Sequence, residues 1–317
     1  MKLCLSLLLF IRFTNICALE TDQYMVWDRA LDDSKEIIHR YLNNNMQDAL
    51  IDINNTWNPK KKSCFDVQKA IVEKSTDGII ITNIESWALD EDTVIHRYPN
   101  PARYSRTEQY ALSQYANSKP RLIDNYFFGV NYNYNNIYFG TDKLVHFVGT
   151  GWRLYKLFKK SLKKNRSIEQ AELVGIKYGI KKEFRYYGLK TSSIFSFADI
   201  EANYQGLQFM KEFCYAKTPI LKLVNKRWVA TRKINIEQYV TPGWDESFNE
   251  NYILSKRLKK INPSRKRYCS LIQSPRVRER MNYYKSIWKS NRSLEYIKAR
   301  QALGKIPLPS KLSNFCK

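Results

Sequence analysis

Three stretches of this chain place acid, base and amide side chains at spacings that suit proton transfer or metal binding. The first is Gly140-Thr141-Asp142-Lys143-Leu144-Val145-His146-Phe147, which reads as the opening of a helix. Asp142 and His146 are four residues apart and so share one helix face. A carboxylate at a helix start is favoured by the helix dipole. Beside an imidazole it can orient the ring or raise its basicity. The second stretch is the basic and aromatic run KKEFRYY, which holds a lone acid, Glu183. The third is FSFADIEANYQG, residues 195–206, where Asp199, Asn203 and Gly206 line one face.

Three helices could bring Asp142, Lys143, His146, Glu183, Asp199 and Asn203 into one polar cluster inside an apolar bundle. As a catalytic set, His146 is the general acid or base and Asp142 orients it. Lys143 stabilises anionic charge, and Glu183 and Asp199 hold substrate or metal. His146, Glu183 and Asp199 offer one imidazole and two carboxylates to a divalent cation, the one cofactor the sequence suggests. The same residues also fit a structural reading. Asp142 then caps its helix, His146 is a hydrogen-bonded core imidazole, and Asp199 and Asn203 tie helices together in a buried polar network. Gly206 then only lets two helices approach closely.

The pattern resembles a known family. A DK-x-x-HF helix start, a later helical Glu and D-x-x-x-N-x-x-G are similar to the signature of VanZ-like proteins and of YfiM-like envelope lipoproteins. The resemblance covers residues 142–206 and rests on Asp142, Lys143, His146, Phe147, Glu183, Asp199, Asn203 and Gly206. It implies a membrane- or envelope-associated protein, and for VanZ-like proteins a part in glycopeptide-antibiotic resistance. Those proteins are membrane-embedded; here the run 142–161 carries Arg153, Lys156, Lys159 and Lys160.

Helices must position these residues. Apolar spacing predicts them over about 142–161, 167–187 and 197–215, with Thr141 and Ser167 as N-caps and Gly188 as a stop. The short turn LKKNRS makes the first two antiparallel neighbours. Upstream, residues 30–52 and 63–74 read as helices, and His39 as a surface or boundary residue. Residues 78–84 (GIIITNI) read as a strand. His96 falls in a loop, residues 105–118 form a helix ended by Pro120, and 125–140 form a hairpin or packed loop. Downstream, Arg227–Thr231 reads as a strand, and 247–260 and 277–303 as basic helices. Asp245 or Ser247 caps the helix at 247, and Trp244 packs as an anchor. The fold class is mainly α with minor β: a central helical bundle plus a basic helical C-terminal region. The organisation is a signal peptide at 1–18, a mainly helical domain at 19–220 and a basic mixed strand/helix region at 221–317.

The signal peptide follows from Lys2, the apolar run Leu3–Ile11 and small residues at Cys17 and Ala18. Arg12 cuts the run short of the roughly 20 residues a spanning helix needs, so the mature chain is expected to carry no transmembrane helix. Export leaves Cys64, Cys214, Cys269 and Cys316, enough for two disulfides with three connectivities. The expected location is the exported side, periplasmic or outer-membrane-associated in a bacterium.

The 317 residues hold 53 Lys+Arg against 30 Asp+Glu, a net charge of +23. Residues 221–317 hold 23 Lys+Arg against 6 Asp+Glu, so +17 of it lies there. Such a region attracts polyanions. In an exported protein the expected partner is an anionic membrane surface or cell-wall polymer. Nucleic acid is disfavoured, since no zinc finger, helix-turn-helix or RNP-like motif occurs. No G-x-S-x-G, P-loop, G-x-G-x-x-G or H-E-x-x-H occurs either, so the usual serine hydrolase, NTPase, dehydrogenase and zincin readings lack their motifs.

Overall fold

Short polar signals start the helices. Ser63, Thr82, Ser105 and Ser167 each accept from the backbone N–H three residues on. Asp66, Glu85, Glu108 and Gln170 reach back to the cap N–H. These capping boxes open the helices Cys64–Thr76, Asn83–Leu89, Arg106–Leu112 and Ile168–Lys182. The computed structural model describes residues 21–78, 81–90, 96–118 and 128–316. Over these the chain is mainly α with minor β. No described helix is long and apolar enough to cross a membrane.

The strands are short and antiparallel. Asn131–Tyr134 pairs with Arg97–Tyr98 on one side and Ile137–Gly140 on the other. A second hairpin joins Leu221–Val224 to Arg227–Ala230. Each hairpin turns on two residues of left-handed backbone: Asn135 and Asn136 (φ 48° and 66°), and Asn225 and Lys226 (φ 48° and 65°). A two-residue turn with both φ positive matches the twist of the strands it joins.

Three helical segments form the centre. The run 141–162 comprises the turn Thr141–Val145, a π turn His146–Thr150 and the helix Gly151–Leu162. It packs against Ile168–Lys182, continued by a second π turn, Glu183–Tyr187, and against Phe197–Glu212. Gly151 and Gly206 meet where the first and third cross; a Cβ on Gly151 would lie 2.6 Å from the Gly206 Cα. The largest apolar cluster draws on Ile38 and Leu42 near one end of the chain and on Trp228, Trp244, Tyr284 and Ile306 beyond residue 220. Cys64–Cys214 ties helix Cys64–Thr76 to the chain just after the third central helix, and Cys269–Cys316 closes the C-terminal segment.

Several local expectations change. Asn83 and Ile84, read as the end of a strand, start a helix, because the Thr82–Glu85 box supplies a start signal that outweighs β propensity. Residues 79–80 of that run lie outside the described residues, as do the expected signal peptide, Pro120 and residues 125–127 of the expected hairpin. The helix expected at 105–118 stops at Leu112, where Ser113 turns its hydroxyl back to the Tyr110 carbonyl. Gly140, not Thr141, holds the N-cap position; the Thr141 hydroxyl bonds Val130 and Tyr132 instead. The helix expected from 247 starts at Ser255, and the Ser247 hydroxyl donates to Asp245 at 2.6 Å. The long helix at 277–303 is two, Pro275–Ile287 and Arg292–Ala302, because the Asn291 side chain caps the second. His39 is buried rather than at the surface, its Nε2 2.7 Å from the Tyr134 hydroxyl.

Candidate functional site: a buried ion cluster

The Lys143 ammonium is fully buried at the centre of three carboxylates. It donates to Asp142, to Asp199 Oδ1 at 2.6 Å and to Glu246 Oε1 at 2.6 Å. Asp142 and Lys143 come from the first central helix and Asp199 from the first turn of the third. Glu246 comes from the irregular segment after the turn Pro242–Trp244. Asp142 also accepts from the Thr21 hydroxyl at 2.8 Å, which brings in the N-terminal segment.

His146 completes the group. Its Nε2 lies 3.1 Å from Asp199 Oδ2 and its Nδ1 3.0 Å from Asn203 Oδ1. The Asp199 carboxylate beside Nε2 favours the protonated, imidazolium form of the ring. The π turn that starts at His146 adds one residue to the helical repeat. It shifts the face presented by the following turns toward the third helix.

Glu183 stands one step away. Its Oε1 accepts from the Ser196 N–H at 2.9 Å. The Ser196 hydroxyl donates to Glu246 at 3.0 Å and accepts from the Asp199 N–H as the N-cap of the third helix. Ser196 therefore joins Glu183 to the cluster. Asn251 donates to the other Glu246 oxygen, and the Glu246 N–H donates to Gln23.

The electrostatics follow from burial. Desolvation alone would strip Lys143 of its proton, but Asp142, Asp199 and Glu246 outweigh it and hold the ammonium charged, well above its ordinary 10.5. Desolvation likewise opposes charge on His146; the Asp199 carboxylate overcomes it and raises the imidazole from 6.5 to about 9. Desolvation raises Asp199 too, but His146 and Lys143 outweigh it and hold that carboxyl well below its ordinary range. Desolvation pushes Asp142 up, against Lys143. Glu246 is pushed up to about 7 by desolvation and by its acidic neighbours, again against Lys143. Two cations face three carboxyls, and burial raises the proton affinity of Glu246 and Asp142 while His146 and Lys143 keep Asp199 ionised.

The sequence-predicted residues thus converge, with a changed membership. Asp142, Lys143, His146, Asp199 and Asn203 form one connected network, and Glu183 joins through Ser196. Glu246, Ser196 and Thr21 were missed. The available signal for Glu246 was that two of the six acids in 221–317, Asp245 and Glu246, are adjacent. The metal set also changes. Among the described residues, the carboxyl groups close enough to share a cation are Asp142, Asp199 and Glu246, whose ligand atoms lie within 4.8 Å of one another. His146, Glu183 and Asp199 do not form that group. The Lys143 ammonium already bonds all three carboxylates, so a divalent ion would have to displace it.

Access is restricted. Asp142, Lys143, His146, Glu183, Asp199, Asn203 and Glu246 are all buried. Two surface cavities, of about 220 and 230 Å³, are lined by none of them. His96, the exposed histidine, pairs with Asp32 at 3.1 Å, away from the cluster. No protein-family model matches the chain, and no curated protein or solved structure does either.

Proposed function

We propose that this chain is an exported, non-enzymatic docking protein of the cell envelope, clamped by its buried ion cluster and attached to an anionic lipid surface. The observation that carries the reading is one exposed face. Trp57 is fully exposed, at 101%. Lys60, Lys61 and Lys62 follow it in the same loop, all exposed. The hairpin Leu221–Ala230 packs alongside: Asn54 exchanges two hydrogen bonds with the Trp228 backbone, and the Trp228 indole donates to the Pro59 carbonyl. That hairpin exposes Lys222, Lys226 and Arg227 together with Leu223, Val224 and Val229.

Tryptophan and aliphatic side chains ringed by cations suit the boundary between headgroups and acyl chains. Each Lys or Arg near an anionic leaflet contributes about 1 kcal/mol. The two disulfides fit an oxidising compartment. The resemblance to VanZ-like and YfiM-like proteins agrees with an envelope location.

The test is co-sedimentation with phosphatidylglycerol vesicles, phosphatidylcholine vesicles and a DNA duplex at rising salt. Anionic vesicles should retain the protein, with Trp57→Ala and a Lys60/Lys61/Lys62→Glu variant weakening it. Equal retention on neutral vesicles, or a preference for DNA, overturns the reading.

A catalytic role for Asp142, Lys143, His146, Glu183, Asp199 and Asn203 has one observation on its side. His146 and Glu183 each open a π turn, a distortion frequent at functional sites. It requires His146 to be reachable. Diethyl pyrocarbonate at about pH 9, where the raised His146 is partly unprotonated, discriminates: the clamp leaves His146 unmodified while His96 reacts, and modification of native His146 favours the catalytic role.

A further inference from the structure

The run KKEFRYY carries more than Glu183. Lys177, Ile180, Lys181 and Phe184 recur at helical spacing along Ile168–Lys182 and into the turn that follows it. With Arg185, Tyr296, Arg300, Lys305 and Ile306 they line the cavity of about 220 Å³. Glu183 is turned inward, 1% exposed, so cavity and ion cluster occupy opposite faces of one turn.

The lining is chemically one-sided. Five of its residues are cationic, none is acidic, and the rest are aromatic or aliphatic. The Lys177 ammonium lies 5.9 Å and the Arg300 guanidinium 6.0 Å from the Tyr296 ring centroid. Among the described residues no carboxylate pairs with Lys177, Lys181, Arg185, Arg300 or Lys305. This contrasts with Lys211, Arg232 and Arg292, which all have acidic partners. The floor is firm: Ile180 and Ile306 are buried, and Phe184 packs on Phe195 with centroids 4.6 Å apart.

Five uncompensated cations raise the local potential and draw a multiply charged anion. Arginine and lysine together suit phosphoryl oxygens, the first by its fork and the second as a point charge. The aromatic and aliphatic floor offers contact to an apolar group beside the anion. The volume is below the roughly 300–1,000 Å³ of a whole drug-sized ligand pocket, so the site takes a head fragment.

We propose that this cavity binds a phosphate ester, with its phosphoryl group among Lys177, Lys181, Arg185, Arg300 and Lys305 and the attached apolar or aromatic group against Tyr296 and Phe184. The site is separate from the Trp57 face, so each can fail alone.

The experiment is titration of the full chain, disulfides intact, with phenyl phosphate, dihexanoyl phosphatidic acid and inorganic phosphate by calorimetry. One of the two esters should bind saturably and at least tenfold tighter than inorganic phosphate. A tighter phosphatidic acid assigns the source as a lipid headgroup; a tighter phenyl phosphate assigns a soluble ester. Lys181→Ala/Arg300→Ala should weaken the ester at least tenfold, with unchanged thermal unfolding and unchanged vesicle retention. Lys61→Ala/Lys62→Ala should leave ester binding intact. Equal affinity for inorganic phosphate, no saturable binding, or an ester affinity indifferent to Lys181→Ala/Arg300→Ala overturns the proposal. So does a double variant that loses only DNA retention. Loss of vesicle retention in wild type with ester binding preserved would sink the docking reading and leave this one standing.

Discussion

Replacing Lys143 by methionine keeps the length of the side chain and removes the charge that three carboxylates share. Removing one partner of a buried ion pair costs about 3–5 kcal/mol, because the other charge stays buried and uncompensated. Here ligand atoms of Asp142, Asp199 and Glu246 lie within 4.8 Å of one another. At that separation each like-charged pair repels by about 3.5 kcal/mol at an effective dielectric of 20. The variant can escape part of this by binding protons. At pH 7, protonating a carboxyl of ordinary pKa 4.5 costs about 3.4 kcal/mol, and at pH 5 only about 0.7. Lys143→Met should therefore lose about 3–5 kcal/mol at pH 7 and about 1–2 kcal/mol at pH 5. The sign follows from linkage: its folded carboxyls bind protons more tightly than the unfolded ones, so its stability rises as pH falls. Urea unfolding followed by tryptophan fluorescence, with both disulfides intact, measures this at the two pH values. If the variant does not accumulate folded at pH 7, the pH 5 measurement still tests the argument. A loss below about 1 kcal/mol at pH 7, or one that does not shrink on acidification, refutes the view that Lys143 neutralises a sealed acidic site.

The wild type should lose stability steadily from pH 5 to pH 9. Asp22 is raised by burial from 3.8 to about 6, Glu246 to about 7 and His146 to about 9. In each case the folded form holds a proton the unfolded form releases, so the contribution is full below the unfolded value and lost as pH rises through the folded one. The His146 rise from 6.5 to about 9 corresponds to about 3 kcal/mol. Glu246→Gln should flatten the thermal-midpoint profile between pH 4.5 and 7, and His146→Gln between 6.5 and 9; unchanged profiles contradict the assignment. Gly206→Ala should cost about 3 kcal/mol, because its Cβ would overlap the Phe147 carbonyl. Gly179→Ala, whose Cβ would meet its nearest neighbour at 3.8 Å, should gain up to about 1 kcal/mol of helix propensity; equal effects in thermal unfolding contradict the close crossing at Gly206. In the chain-entropy account, opening Cys64–Cys214 across 150 residues costs about 5 kcal/mol and Cys269–Cys316 across 47 about 4 kcal/mol. Paired Cys→Ser variants should therefore unfold earlier, the first pair by more.

The central helices were legible from their periodicity, and the second also from its start signal. Ser167 with Gln170 announces one N-terminus, and the spacing of Asp142, His146, Asp199 and Asn203 shows which faces meet. What stayed hidden is what local sequence does not encode. Glu246 reaches Lys143 across 103 residues and Thr21 reaches Asp142 across 121; neither pairing leaves a periodic trace. The strand expected at 78–84 fails at its end for the opposite reason. Its β-branched run is a weak preference, whereas the Thr82–Glu85 box satisfies two backbone donors. The turns at Asn135–Asn136 and Asn225–Lys226 lie between: asparagine tolerates left-handed backbone, but only the paired strands make both residues adopt it.

The same long separations bear on why charge is buried here at all. Well-packed apolar side chains often stabilise a core as much as an ion cluster, or more. The cluster does something apolar packing does less well. Lys143 meets all three carboxylates only when two central helices and the segment after Trp244 have arrived, and the N-terminal segment adds the Thr21 hydroxyl to Asp142. Any arrangement lacking Asp199 or Glu246 removes one of the three carboxylates that hold the buried Lys143 ammonium charged. A helix slipped by one turn at the Gly151–Gly206 crossing would separate His146 from Asp199 and Asn203 at the same time. Glycine contact and ion pairing therefore select one register through independent forces, steric and electrostatic. By this reasoning the buried acid–base groups help select the register in which the central helices pack.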